Sequence, residues 1–382
     1  MRSVGIICEY NPFHLGHRKQ IRRIKERFGE DCAVVCLMSG NFVQRGHPAI
    51  VDKSLRARAA VACGADLVLE LPVTYALSSA EGFAAGGVRI LSRICDGLCF
   101  GTENGTEETL LSTASDLLSP AFAQQLRQRL DSGMSFPAAR EAAMKDLGCS
   151  TGLLANPNDI LAVEYCKAIL TQGASLQIFP IRRDGNYHDE VAQRDEPSAT
   201  AVRRLLCAGG NWQDFVPEEA CFSLENAPLH TMEAGERAVL ARLRTMSEED
   251  FEALPYGSEG LWRKLMHAAR SQSSLEGILA ETKSKRYTRT RLDRMVMCAY
   301  LGITARMLET EPPYVRILAF TARGRGILSA VKHSAFFRNA GEAAAESFWE
   351  LEKRCGDLYG LFCVDEPEAP GTEEARRIWY AR

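Results

Sequence analysis

Over its first hundred residues the chain alternates two periodicities, and this alternation restricts the fold more than any other feature of the sequence. Val4–Cys8, Ala33–Met38, Leu67–Leu69 and Gly97–Phe100 are apolar runs of strand length. Between them, Gly16–Phe28, Lys53–Cys63 and Ala80–Ile94 carry apolar residues at helical spacing. Strand, helix, strand in this order calls for βαβ units and an α/β fold with a mainly parallel sheet. Ligands in such a fold belong at the carboxyl ends of the strands.

The pattern continues through a helical stretch from Glu107 to about Ala143, a helix entering at Asn156, a strand in ASLQIFPIRRDG, and PSATAVRRLL from Pro197, where a hydroxyl residue precedes an apolar helical run. The expected catalytic domain therefore spans 1–210. Residues 211–225 read as linker-like, with Gly209 and Gly210 before them and Pro217 within. Residues 226–310 read as helical and the remainder as mixed, so 211–382 is expected to be a mainly helical extension. With 46 Lys and Arg against 49 Asp and Glu, the formal net charge of −3 excludes neither small-molecule chemistry nor a local nucleic-acid surface. No segment approaches the roughly 20 apolar residues of a membrane span, so a cytoplasmic protein is expected. The 13 cysteines include no CxxC pair and read as reduced core residues, which leaves zinc or a disulfide framework without support.

The sharpest constellation is EYNPFHLGH, Glu9–His17, directly after the first strand. His14 and His17 stand three positions apart, and Gly16 lets backbone approach a ligand closely where a helix begins, so the segment reads as a compact donor surface for an anion or, alternatively, as one histidine capping the helix and the other packing against a neighbour. Metal ligation by the pair lacks a third histidine or cysteine at useful spacing. In PSATAVR, Ser198 and Thr200 offer hydroxyls, the helix start offers backbone N–H groups, and Arg203 offers a charged fork suited to a β- or γ-phosphate. Taken alone, that second pattern is as well explained by ordinary helix capping.

The His-x-Gly-His residues resemble the signature of the HxGH nucleotidyltransferase superfamily, which implies a Rossmann-like catalytic domain. They also imply that His14 and His17, with Ser198, Thr200 and Arg203, hold a triphosphate and stabilise charge at the α-phosphorus. GIICEYNPFHLGH, SGNFVQRGHPAIVDK, GADLVLELP, FGTE, NDILAVEY, PSATAVR, KRYTRTRLDR and PPYVRILAF occur in an order that resembles the bacterial tRNA(Met) cytidine acetate ligase family. This closer resemblance implies that ATP activates acetate as acetyl-adenylate with loss of pyrophosphate. The acetyl group then passes to N4 of the wobble cytidine of elongator tRNA(Met), releasing AMP. It also assigns ATP contacts to the segment Ile7, Cys8, Glu9, Tyr10, Asn11, Pro12, Phe13, His14, Leu15, Gly16, His17, Arg18, Lys19 and Gln20, and to Gly101, Asn158 and Arg182. Gly101 also reads as a turn glycine, Asn158 as a helix cap, and Arg183 competes with Arg182, because adjacent side chains of an extended segment point oppositely.

Gln44, Arg45 and Lys53 lie in a loop that can close over the adenylate or orient acetate, with Gly40 and Gly46 permitting its turns. Lys283, Lys285, Arg286, Arg289, Arg291 and Arg294, interleaved with Tyr287, read as a tRNA backbone contact or as a solvated helix face. Mg²⁺ is an expected companion of ATP. Acetate needs no general base, and the sequence assigns no proton acceptor to amide formation. Two rival functions are adenylyl transfer to a free small metabolite and noncatalytic RNA binding.

Overall fold

The computed structural model describes residues 2–182, 197–331, 336–343 and 348–381. The strands β1 (Ser3–Cys8) and β2 (Ala33–Ser39) contain no charged residue and are buried along almost their whole length, as inner strands of a parallel sheet must be. The helix α1 (Leu15–Phe28) connects them. A small antiparallel hairpin, β3 (Phe42–Val43) and β4 (His47–Pro48), stands where only a loop was expected. Next come α2 (Lys53–Ala62), β5 (Leu67–Leu71), α3 (Val73–Ala76), α4 (Ala80–Leu91) and β6 (Gly97–Thr102). The helical stretch after Glu107 is three helices, α5 (Glu107–Leu118), α6 (Pro120–Asp131) and α7 (Phe136–Asp146), and is followed by α8 (Pro157–Gln172), β7 (Gln177–Arg182) and α9 (Ala199–Cys207).

The second half adds α10 (Met232–Thr245), α11 (Glu248–Glu252), α12 (Leu261–Ser271), α13 (Leu275–Thr282), α14 (Arg289–Leu301) and α15 (Ala305–Glu309). Then follow β8 (Val315–Phe320), α16 (Ala322–Ala330), β9 (Phe337–Arg338), α17 (Ala340–Ala343), α18 (Trp349–Tyr359), α19 (Thr372–Ala375) and β10 (Trp379–Tyr380).

Among the described residues the main sheet has eight strands in the order β10-β8-β5-β2-β1-β6-β7, with β9 beside β8. All pairs are parallel except β5 with β8. From β1 the chain goes to β2 on one side, while β6 lies on the other. The crevice for a ligand is thus at the carboxyl ends of β1 and β6. One face is covered by α4, α5 and α8 through Phe83, Val88, Leu110 and Val163, and the other by α1, α2 and α9 through Ile21, Ile24, Ala57 and Val202. A third core, built from α10–α14 and α18, includes Phe42 of the hairpin and Leu77.

Two features differ from the sequence reading. Residues 211–225 form two short 3₁₀ turns whose Val216, Ala220 and Leu224 are buried in the α1/α2 core, so the segment is packed rather than a free linker. Beyond residue 210 the chain also returns to the main sheet: β8 pairs with β5 in antiparallel register and carries β10 on its outer edge.

Candidate nucleotide site

Immediately after β1 the backbone turns sharply. Tyr10 has φ of +47°, a conformation uncommon for a side chain of this size, and its buried ring packs against Phe13 at 4.8 Å and His17 at 4.7 Å. His14 is the N-cap of α1. Its Nδ1 accepts a hydrogen bond from the Gly16 amide at 3.1 Å, and Nδ1 of His17 accepts from the His14 amide at 3.2 Å. The two rings stack with centroids 3.6 Å apart. A Cβ on Gly16 would lie 3.0 Å from Cε1 of His14, so glycine is what lets the imidazole fold back over the helix start. With both Nδ1 atoms accepting, each neutral ring carries its proton on Nε2, which makes that atom a donor. The first turn of α1 contains no acidic side chain to compete with a bound anion.

The PSATAVR segment reaches the turn after β1. Nη1 of Arg203 donates to the Asn11 carbonyl at 2.6 Å, and Nη2 donates to Oγ1 of Thr200 at 3.1 Å. Ser198 caps α9, its hydroxyl accepting from the Ala201 amide at 3.1 Å. The side-chain oxygen of Asn11 accepts from the Ile50 amide at 2.7 Å, which ties the turn to the segment leading into α2. The starts of α1 and α9 therefore meet at one end of the sheet.

Gly101 and Arg182 occupy the carboxyl ends of neighbouring strands, with Gly101 opposite Ile181 and Thr102 opposite Arg182. Arg183 lies outside the described residues. The N-cap of α8 is Asn156; Asn158 instead donates its side-chain amide to Glu103 at 2.6 Å. Glu103 also accepts the Asp159 amide at 2.9 Å, and the fully buried Asp159 accepts from the Thr102 hydroxyl and the amides of Glu103 and Asn104. Sequence reasoning missed this pair of carboxylates, although Glu103 directly follows a strand end and Asp159 opens a helix.

Other members of the first segment serve the wall of the site. Cys8 is buried against the Leu37 carbonyl, Ile7 packs under Gly87, and Gln20 donates to the Cys99 thiol at 3.6 Å. Leu15 and Lys19 lie on α1, while Arg18 turns outward to Glu219 at 3.1 Å.

In the hairpin, the Gln44 amide donates to the Glu9 carboxylate at 2.9 Å and its side chain donates to the Ser78 carbonyl at 3.3 Å. Gly46 has φ of +81°, and a Cβ there would fall 2.5 Å from the Asp293 carbonyl carbon, so the hairpin tip rests directly on α14. His47, which sequence reasoning also missed, stands 3.9 Å from Asp293. Burial pushes its pKa down; Asp293 opposes that, while Arg203, Arg289 and Arg45 reinforce it.

The expected roles of two cations need correction. Lys53 is buried, with its amine 2.7 Å from Glu70 and 2.7 Å from Glu373, so it cannot orient acetate without abandoning both carboxylates. Arg294 is also buried, its guanidinium over the Tyr256 ring at 5.1 Å, and is not a surface contact for phosphate. Arg291 is committed as well, donating to the Tyr256 carbonyl at 2.7 Å and lying 4.7 Å over the Tyr287 ring. The outer face keeps Lys283, Lys285, Arg286 and Arg289, of which Arg286 pairs with Glu259 and Arg289 with Glu276 at 2.7 Å each. Tyr287 donates to Glu259 at 2.7 Å.

Arg56 was invisible to sequence reasoning. Fully buried on α2, it donates to the carbonyls of Glu9, Ser39, Gly40 and Val51, pinning the ends of β1 and β2 together. All 13 cysteines are free thiols.

Comparison with known proteins gives a consistent result. The family model described as HIGH Nucleotidyl Transferase matches residues 1–373. A tRNA(Met) cytidine acetate ligase of Acetivibrio thermocellus is 34% identical over 404 residues, covering 96% of each chain. One from Kosmotoga olearia is 36% identical over the whole of both. The crystal structures of Thermotoga maritima TmcAL, apo and bound with alpha-thio ATP, match with TM-scores of 0.90 and 0.89. Each is 28% identical and covers 100% of both chains.

Proposed function

This chain belongs to the tRNA(Met) cytidine acetate ligase family of HIGH nucleotidyl transferases, and we infer from that premise an ATP-dependent ligase working in two steps. It activates acetate as acetyl-adenylate, releasing pyrophosphate, and then acetylates N4 of the wobble cytidine of elongator tRNA(Met), releasing AMP. The observation that best supports the reading is the 2.6 Å hydrogen bond from Arg203 to the Asn11 carbonyl, which ties the two segments expected to hold the triphosphate to each other.

In the first step an acetate oxygen attacks the α-phosphorus in line with departing pyrophosphate. Catalysis of such a displacement is alignment and charge stabilisation. The Nε2–H groups of His14 and His17, with the backbone at the start of α1, face the developing charge. Arg203, steadied by Thr200, serves the outer phosphates, while Ser198 holds the start of α9. Gly101, Asn158 and Arg182 line the nucleotide's path along the ends of β6, α8 and β7, and Gln44 and Arg45 form the wall on the acetate side. Among the described residues no group of three His, Cys, Asp or Glu side chains is arranged to hold a metal ion. Mg²⁺ therefore fits as a companion of the triphosphate oxygens and water, where it neutralises phosphate charge.

The tRNA is assigned to the region 211–382, where Lys283, Lys285, Arg286 and Arg289 offer an exposed basic edge beside the hairpin tip. Among the described residues no helix is long and apolar enough to cross a membrane. We place the enzyme in the cytoplasm, where its RNA is made.

The test is incubation with ATP, labelled acetate and separately purified tRNA species, followed by nucleoside analysis. Label should appear as N4-acetylcytidine in elongator tRNA(Met) alone. Pyrophosphate release without tRNA labelling would favour a small-metabolite adenylyltransferase, and tRNA binding without pyrophosphate release a noncatalytic module.

A further inference from the structure

We propose that Glu9 is the proton acceptor of the acetyl-transfer step, a role that rests on the ligase reading above. Four carboxylates stand at or near the carboxyl ends of the inner strands, and three are fully committed. Glu70 gives both oxygens to Lys53, at 2.7 and 2.8 Å. Glu103 gives one to the Asn158 side chain and the other to the Asp159 amide. Asp159 is saturated by Thr102, Glu103 and Asn104. Glu9 gives only Oε1, to the Gln44 amide at 2.9 Å; among the described residues its Oε2 remains uncommitted on a half-buried side chain.

The position is fixed from behind. Arg56 holds the Glu9 carbonyl at 2.6 Å, and the residue sits five places before His14, at the mouth of the crevice between β1 and β6. A carboxylate beside an anion site repels both ATP and acetate, so its presence there is unfavourable for the first step. The second step is the one that needs a base. A bonded chain also links the Gln44 partner of Glu9 to α14: Gln44 reaches Ser78, Tyr256 donates to the adjacent Leu77 carbonyl at 2.8 Å, and Arg291 donates to the Tyr256 carbonyl.

The cytosine N4 lone pair forms a bond to the acetyl carbonyl carbon, and the bond from that carbon to the phosphate oxygen breaks, AMP leaving with the electron pair. The proton that N4 must lose moves to Oε2 of Glu9 and from there to solvent.

Glu9→Gln keeps an oxygen for the Gln44 amide and removes the basicity. Two rates are to be compared: acetate-dependent ATP–pyrophosphate exchange, and single-turnover acetylation of tRNA from preformed acetyl-adenylate. The ratio of transfer to exchange should fall at least ~100-fold in the variant, the usual scale of general-base catalysis. Glu9→Asp should recover part of the ratio. A ratio unchanged in Glu9→Gln, whether both rates fall together or neither does, overturns the proposal and leaves Glu9 as a tether of the hairpin. Absence of acetate-dependent exchange in the wild-type protein is a separate result that removes the ligase reading itself.

Discussion

A histidine that caps a helix through one ring nitrogen presents the other to whatever binds beyond the helix start, so His14 has two separable duties. Asparagine is among the best N-caps and can accept from the Gly16 amide in place of Nδ1, but it has no counterpart of the Nε2 donor. His14→Asn should therefore keep the wild-type thermal midpoint and lower kcat for acetate-dependent ATP–pyrophosphate exchange by about 10²–10³-fold, the cost of one well-aimed donor. A fall in midpoint parallel to the loss of rate would show that capping, and not charge stabilisation, is the larger duty. At this scale the sequence was informative wherever a role is set by near neighbours: the imidazoles of His14 and His17 act with backbone two or three residues away. It was uninformative for Lys53, Arg56 and Arg294. A cation in a polar stretch reads as open to a ligand or to solvent, and only the partners Glu70, Glu373 and four carbonyls show that two of these are buried for structural reasons.

The strands and helices expected in the first hundred residues were legible because each is a single uninterrupted period, and their observed bounds differ from the expected ones by a few residues at most, whereas the four-residue α3 was too short to show one. The β3–β4 hairpin was not, since two strands of two residues carry no period, and what holds them is Tyr359, whose hydroxyl donates to the Ala49 carbonyl at 2.9 Å, and α14 under Gly46. The turn from β6 to α5 is a similar case: its order comes from Asp159 on α8. Burial raises the pKa of that carboxyl, but the Thr102 hydroxyl, the amides of Asn104 and Glu103 and the Asn156 side chain outweigh burial and hold it below the usual range. A folded-state pKa below the unfolded one means that the unfolded chain binds more protons, so this stabilisation is present above the unfolded value of about 3.9 and is lost as pH falls through the lower folded value. Urea unfolding across a pH series should show Asp159→Asn less stable than wild type by a gap that is widest above about pH 5 and narrows below about pH 4. The variant should also bind ATP more weakly, because the turn fixes Gly101 and Asn158. A gap independent of pH would mean that the carboxylate charge is not what orders the turn.

The whole molecule is closed by its last seventy residues. No local signal in PPYVRILAF announces that β8 will pair antiparallel with β5, so a boundary near residue 210 divides the sequence pattern but not the sheet. The junction where the C-terminal helices meet α2 and β5 is ionic. Lys53, Arg316 and Arg376 face Asp52, Glu70, Glu352 and Glu373, and Lys53, Glu70, Glu352 and Glu373 line a cavity of about 20 Å³, room for roughly one water. Three cations cannot balance four carboxylates, and the excess falls on Glu352, which accepts from the Tyr314 hydroxyl at 2.7 Å and from Arg316 at 3.0 Å. Burial and the nearby Glu70 push its pKa up to about 7 against the pull of Arg316 and Lys53. Here the sign is the reverse of that for Asp159. The folded protein holds a proton that the unfolded chain releases near pH 4.3, so stability declines as pH rises from there through about 7 and is level beyond it. Glu352→Gln supplies the neutral form permanently, with an oxygen for Tyr314 and Arg316 and an amide in place of the acidic proton. Chemical denaturation of the two proteins should give similar stabilities near pH 5. At pH 8 the variant should be the more stable by about 2–3 kcal/mol, the part of the shift that lies above pH 5. Parallel stability curves across that range would show that Glu352 is ionised throughout and that the junction tolerates the unbalanced charge.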